Sequence, residues 1–351
     1  MVRLSIEHFD PQNASQKVWD DYYSHYIEIF REISPDDPCP SKEMILKSIL
    51  IPNPQFHYYR WLVYDQETKL LTGVGRLELD KKNSPAYDSN KDIVFADISI
   101  RKEYRRKGYG TELLQNMVMK AKREGKSIFQ SWGTPNISSP FFEYLGGQKA
   151  SKEEENRLQL ADVDWQMIQT WCSEGIKRAK NVSLERFETV PEQDIKEFSQ
   201  IYTEVMNQVP KEDLEWEVNE TPEVRRNHEA RHKKLGTIWT TIISRERDGT
   251  ISGLTETYYY PDRPTIVFQG LTGVKVSYRG KGVGKWMKAE MLTYIKEYFP
   301  KVTTIGTDFA LVNEPMISIN RRLGFKPYKI WFGYKFSVDQ LIQTIDSKMT
   351  S

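Results

Sequence analysis

Cysteine is nearly absent from this chain. Two occur in 351 residues, Cys39 and Cys172, far apart, in what read as a loop and a helix. They offer no disulfide framework and no metal-binding spacing, so a reducing compartment suits them best. Histidine is scarce as well. His8, His25, His57, His228 and His232 form no ligand cluster. The His228/His232 pair, four apart on a polar helix, lacks a third ligand, and no metal is expected. An excess of charge is missing too: 50 basic residues against 49 acidic leave +1, which gives no pull toward nucleic acid or an anionic membrane. No apolar run is long enough to cross a bilayer, and MVRLSIEHFD has no apolar signal core. The expectation is a soluble cytoplasmic protein that engages neither nucleic acid nor membrane.

What the chain does have is glycine in one telling arrangement. Gly273-Val274-Lys275-Val276 reads as a short strand, Arg279-Gly280-Lys281-Gly282-Val283-Gly284 as a turn, and Lys285 onward as an amphipathic helix. Glycines let the backbone adopt positive φ and come close to a ligand. The first N–H groups of a helix lack partners and its dipole favours anions, so strand, turn and helix together form a phosphate cradle. The same pattern, R-x-x-G-x-G, stands half a chain earlier at Arg105-Arg106-Lys107-Gly108-Tyr109-Gly110.

At this length two domains are the default, and the flanking elements also repeat. The division read from the sequence is an N-terminal domain over 1–162, a connecting helix over 163–179 and a C-terminal domain over 180–351. The opening strand runs from Val2 to Phe9, followed by a helix over Gln16–Ile33. Pro210 to Lys234 reads as largely helical, Tyr328 to Phe336 as a last strand, and Gln340 onward as a frayed terminal helix. The fold class is α/β: two domains, each a mixed sheet with helices on both faces.

The duplicated turns, together with Gln269, Thr272-Gly273-Val274, Tyr278 through Gly284, Lys288-Ala289 and Asn313-Glu314-Pro315-Met316-Ile317-Ser318-Ile319-Asn320-Arg321-Arg322-Leu323-Gly324-Phe325, resemble the GNAT acetyltransferase superfamily. The resemblance covers essentially the whole chain, twice over, as in the tandem GNAT proteins that include mycothiol synthase. It implies two GNAT-like domains forming an internal pseudo-dimer, with a catalytic C-terminal domain and a degenerate N-terminal one. It implies acetyl-CoA as cofactor, with its pyrophosphate on the backbone of Arg279, Gly280, Lys281, Gly282, Val283, Gly284 and Lys285. The strand Val274, Lys275 and Val276 would pair with the pantetheine arm. Asn313 is a candidate contact to that arm or a cap for the following helix. The corresponding N-terminal residues are Ile98, Ile100, Arg105, Arg106, Lys107, Gly108, Tyr109 and Gly110.

The activity so implied is acetyl transfer to a small amine by direct attack in a ternary complex, in a monomer or homodimer. Such chemistry needs a base for the amine, a donor for the oxyanion and a proton for the leaving thiolate. Glu256 is the candidate base, or else an exposed strand glutamate; the backbone N–H near Val274 is the candidate oxyanion donor. The usual acid departs from the pattern: Asn320 occupies the position where many members place tyrosine, and Phe142 does so in the first copy. Either the thiolate leaves unaided, which its modest basicity permits, or another group such as Tyr294 or Tyr328 assists. Asp97 is the one carboxylate considered for the N-terminal strand. The acidic run Glu212, Asp213, Glu215, Glu217, Glu220 and Glu223 either draws a cationic amine or is a solvated face. Alternative readings are a non-catalytic acyl-CoA sensor and a peptide-amine acetyltransferase.

Overall fold

The computed structural model describes residues 4–350, except for the side chains of Phe309 and Thr350. Residues 2 and 3 of the expected opening strand lie outside the described residues. The first part of the chain runs β1 (Leu4–His8), α1 (Gln16–Ile33), α2 (Lys42–Leu50), β2 (Phe56–Asp65), β3 (Leu71–Asp80), α3 (Tyr87–Asn90), β4 (Ile93–Ile100), α4 (Tyr109–Arg123), β5 (Ile128–Gly133), α5 (Ser139–Tyr144) and β6 (Gln148–Gln159). After α6 (Trp165–Arg178) the order restarts with β7 (Val182–Phe187), α7 (Ile195–Asn207), α8 (Pro222–Leu235), β8 (Ile238–Glu246), β9 (Ile251–Tyr259) and β10 (Ile266–Val274). It continues through α9 (Val283–Tyr298), β11 (Thr304–Ala310), α10 (Glu314–Leu323), β12 (Lys326–Ser337) and α11 (Val338–Thr350).

The chain divides into two compact units, but not at a single point. One holds the residues up to Lys152, Lys211–Glu217, and those from Ile330 on; the other holds Glu153–Pro210 and Val218–Lys329. The expected division at 162 and 180 therefore differs in four places. Residues 153–162, which include most of β6, already belong to the second unit. The connecting helix α6 belongs to the second unit, where Gly175 lets it close on the Trp286 ring; a Cβ there would stand 2.4 Å from the indole. The segment 211–217 belongs to the first unit and is not helical, since α8 begins only at Pro222, capped by Thr221. Most of β12 and all of α11 also belong to the first unit.

The strand order in the first unit is β1-β2-β3-β4-β5-β12, and in the second β6-β11-β10-β9-β8-β7. The pairs β4/β5 and β10/β11 are parallel, while β1/β2, β2/β3, β3/β4, β7/β8, β8/β9 and β9/β10 are antiparallel. β12 lies antiparallel on β5, with Phe332 opposite Gly133 and Ser337 opposite Ile128. α11 is not frayed. Leu341 and Ile345 are fully buried in one core with Leu113, Leu114 and Met117 of α4 and Tyr334 and Phe336 of β12. An apolar stripe at helical spacing on α4 meets that core. In the second unit Trp286, Met287, Met291, Leu292 and Ile295 of α9 do the same work against β9 and β10.

Each unit also holds a histidine kept neutral by its surroundings, His25 buried and His232 half-buried. His25 on α1 bonds Ser99 through Nε2 at 2.8 Å, and burial, followed by the charges of Arg101 and Arg105, pushes it down to about 3. His232 on α8 stacks near Trp239 and Tyr258, and burial, then Arg231, His228 and Arg225, pushes it down to about 4. Both folded values lie below the unfolded one, so the unfolded chain takes up protons first. The stabilisation is complete above about pH 6.5 and falls as pH drops below it, by about 1.4 kcal/mol per pH unit for each histidine. Urea midpoints measured from neutral to mildly acidic pH should show this slope, and His25→Asn should remove one proton's share of it.

Candidate functional site

Both glycine turns fold in the same way. Arg106 and Gly108 in the first, Gly280 and Gly282 in the second, all take positive φ, between 59° and 86°. The first copy thus holds an arginine where the second holds a glycine, a left-handed residue that costs about 1–2 kcal/mol outside glycine. Gly108 and Gly282 are the N-caps of α4 and α9. The first intrahelical bonds are Glu112 N–H to Gly108 O at 3.1 Å and Trp286 N–H to Gly282 O at 3.0 Å. The N–H groups before these belong to the open helix end, and the left-handed residues curl the preceding amides around it into an anion-binding nest. The last glycine of each motif needs no special φ. A Cβ on Gly284 would meet only Val274 Cγ2, at 3.6 Å, and one on Gly110 only side chains at 3.5 Å or more. Protein packing does not demand these glycines, and a close-lying ligand would.

The side chains of the motif have other duties. Arg279 Nε donates to Val274 O at 3.0 Å and its guanidinium reaches Gln208 of the α7 end; Arg105 Nε donates to Ile100 O at 2.9 Å and forks onto Glu32 of α1. These arginines brace the strand end against the turn. Val283 and Tyr109 are core residues, the latter donating its hydroxyl to Asp65 at 2.5 Å. Lys107 and Lys281 are exposed beside Tyr104 and Tyr278. Lys285 lies over Trp171, 3.7 Å from Glu174, and Lys275 is 3.7 Å from Glu197. Val274, Lys275 and Val276 are not one strand: β10 ends at Val274, and Val276 opens a 3₁₀ turn with 62% of its surface exposed. In the first unit Ile100 is buried and Ile98 half-buried on β4.

Beside each turn the parallel strands part. β10 pairs with β11 only from Ile266 to Phe268, and β4 with β5 only from Ile93 to Ala96. The units then differ. The β3/β4 register runs unbroken, whereas β10 carries a bulge between Gln269 and Thr272, so that Gly270 and Leu271 both stand against Glu256 of β9. Gly270 fits because a Cβ would lie 2.6 Å from Tyr258. A bulge leaves a backbone group outside the ladder and re-aims neighbours.

Glu256 is fully buried. Its Oε1 accepts from Arg225 Nη1 at 2.9 Å and Thr241 at 3.1 Å, and the Tyr258 hydroxyl stands 3.5 Å from Oε2. It is thus no plain solvent-facing glutamate. Burial raises its carboxyl pKa, with Arg225 and Thr241 opposing. Arg225, also fully buried, sits 3.6 Å above the Trp239 ring and shares Glu229 at 3.1 Å. In the first unit Arg76 stands at the matching register and pairs with exposed Asp97.

Asn313 is the N-cap residue of α10, and its side chain makes no capping bond. Asn320 is buried; its Oδ1 accepts from the ammonium of equally buried Lys288 at 2.7 Å. Tyr294 is held by Thr240 and Arg186, and the Tyr328 ring lies under Arg157. Of the acidic run, Glu212, Asp213, Glu215 and Glu217 fall in the first unit, where Glu215 pairs with Lys335; only Glu220 and Glu223 remain in the second, Glu220 bonding His228 at 3.3 Å. The bulge, Arg225 and Lys288 escaped the sequence reading. A glycine inside a strand pattern was the available signal for the bulge. For Lys288 it was a lysine on the apolar face of α9, where the first copy has Leu114. Among the described residues no cluster of potential metal ligands occurs, and no helix is long and apolar enough to cross a membrane.

Residues 19–146 match the model of the acetyltransferase (GNAT) family. The match falls on the half that sequence reading treated as degenerate. No curated protein matches the chain in sequence. In fold, the chain is similar to a tandem GNAT protein from the clavulanic acid biosynthesis pathway, at TM-score 0.74 and 18% identity over 95% of this chain and 98% of that one. It is also similar to a GCN5-related N-acetyltransferase from Sphaerobacter thermophilus, at 0.66 and 14% over 96% of each. A third likeness is to Saccharomyces cerevisiae N-myristoyltransferase with bound myristoyl-CoA, at 0.58 and 11%, over 96% of this chain and 83% of that one.

Proposed function

We propose that this chain, whose residues 19–146 match the acetyltransferase (GNAT) family and whose fold is similar to that of a tandem GNAT protein, is an acetyl-CoA-dependent N-acetyltransferase whose second unit acetylates a small amine by direct attack in a ternary complex. The observation that carries the choice of unit is the β10 bulge against buried Glu256, absent from the first unit. Acetyl-CoA would supply an activated acyl thioester. The amides of Gly280 to Lys285 hold its pyrophosphate, and the open flank of β10 beyond Phe268 offers backbone groups to the pantetheine arm, with Asn313 beside it. Glu256 takes the amine proton at Oε2, the oxygen without an ion-pair bond, while Arg225 keeps its other oxygen fixed. The bulge amides, rather than the strand end at Val274, donate to the developing oxyanion.

A second reading is supported by the family match over residues 19–146: the first turn also holds acyl-CoA. Calorimetric titration with acetyl-CoA gives the stoichiometry, one site or two. A thiol-release assay over a panel of small amines and short peptides should then show turnover. Saturable binding with no turnover on any amine would favour the sensor reading, and absence of binding would end both.

A further inference from the structure

Lys288 and Asn320 form a polar pair in a place where the fold does not need one. Lys288 is six residues into α9, the helix that begins at the glycine turn, and Asn320 is on α10, which follows the parted strand β11. Both are 1% exposed. The 2.7 Å bond runs from Nζ to Oδ1. An ammonium can only donate, so it fixes which end of the amide faces the lysine. The other end, Nδ2, is buried and has no partner. Met316 Sδ lies 3.5 Å from Nζ and the Phe325 ring 5.8 Å away. The surroundings thus include no carboxylate bonded to the ammonium, and burial alone pushes it down to about 7.

The first unit serves as an internal control. The ninth residue after its motif arginine is Leu114, and the fourth before its closing glycine is Phe142. Both are 1% exposed in a single apolar core. The same architecture is therefore filled by hydrocarbon in one copy and by an ammonium and an amide in the other. A buried orphan N–H costs about 1–3 kcal/mol, and an unpaired buried ammonium costs more. An acceptor that arrives with a ligand would offset both.

Building on the acyl-CoA reading, we infer that Asn320 and Lys288 receive the departing thiolate: Asn320 Nδ2 donates to the sulfur, and Lys288 is the positioning residue that orients the amide and supplies positive charge. In the transfer, the C–N bond forms, the amine proton goes to the base, and the C–S bond breaks with its electron pair left on sulfur. The thiolate then takes a proton from solvent on release. No tyrosine is needed, because the anion is stabilised and not protonated in place.

The test uses the full-length protein and coenzyme A itself, and reads the thiol and not turnover. Ultraviolet absorbance of the thiolate gives the pH at which bound coenzyme A is half-ionised. With the natural protein this should lie about one pH unit or more below that of free coenzyme A, as for an acid placed near a fixed positive charge. Lys288→Leu combined with Asn320→Phe installs the first unit's pair. That variant should melt no lower, still bind coenzyme A, and return the thiol to its free value. Asn320→Ser, which removes Nδ2 and leaves Lys288, should give an intermediate value if the double variant fails to fold. A thiol that ionises in the natural protein as it does in solution, or a shift that survives both variants, overturns the inference. Failure of coenzyme A to bind at all would instead overturn the acyl-CoA reading beneath it, a separate and recognisable result.

Discussion

Gly284→Asp should abolish acetyl-CoA binding at the second turn and leave the protein folded. The Cβ it adds would meet only Val274 Cγ2, at an ordinary 3.6 Å, and the helical φ at this position suits any residue. A carboxylate on the first turn of α9 even favours the helix itself. Toward a pyrophosphate it is doubly hostile, filling the space the backbone leaves open and setting like charges close together. At about 4 Å and the effective dielectric of a protein surface, that repulsion is about 4 kcal/mol per charge pair, about a thousandfold in affinity. The measurement is calorimetric titration of Gly284→Asp in a background where Gly110→Asp has disabled the first turn. An unchanged affinity there, with an unchanged melting temperature, would sink the assignment of the turn. The two single variants divide the binding between units.

Arg225→Leu should be the most damaging single change to stability outside the apolar cores. It strands Glu256, which is 0% exposed, and takes one partner from Glu229. Removing one member of a buried pair costs about 3–5 kcal/mol because the remaining charge has no water to turn to. The cation also loses its place against Trp239 at 3.6 Å. Pairing the change with Glu256→Leu should recover most of the loss, since an apolar replacement of both partners is often neutral. Urea denaturation of the two singles and the double gives the coupling energy directly. Glu256→Gln separates the two roles of this carboxylate. It keeps the shape and the bond from Arg225, so stability should fall less than in Arg225→Leu. Amine acetylation should fall about a hundredfold or more if the proton goes to Glu256. A variant with full turnover would return the residue to a purely structural role.

The repeat itself was legible because glycine at positive φ leaves a signature that few other residues can write. Both turns, and α1 over Gln16–Ile33, fall where turn chemistry and helical periodicity put them. The strand end after Val274 was misjudged because Lys275 and Val276 keep the alternation while the backbone has already turned into a 3₁₀ step. Pro210 to Lys234 reads as largely helical, but within it the backbone of 211–217 is tied up elsewhere: Asn90 holds Glu217, and Gln130 bonds the Glu215 carbonyl. Such long-range anchoring has no local pattern. Glu256 could be nominated from its strand, yet its burial depends on Arg225 of helix α8, which charge alone would place in water.

Strand β12 and helix α11 have a consequence for biosynthesis. They supply Tyr334, Phe336, Val338, Leu341 and Ile345 to a core whose other buried members lie before residue 146. A ribosome emits that core's first contributors early and its last ones only after the second unit. The N-terminal unit therefore cannot finish folding in the order in which it is made. It must wait, with the flank of β5 open, while the whole second unit emerges, and a nascent chain stalled before residue 330 would present that flank to chaperones.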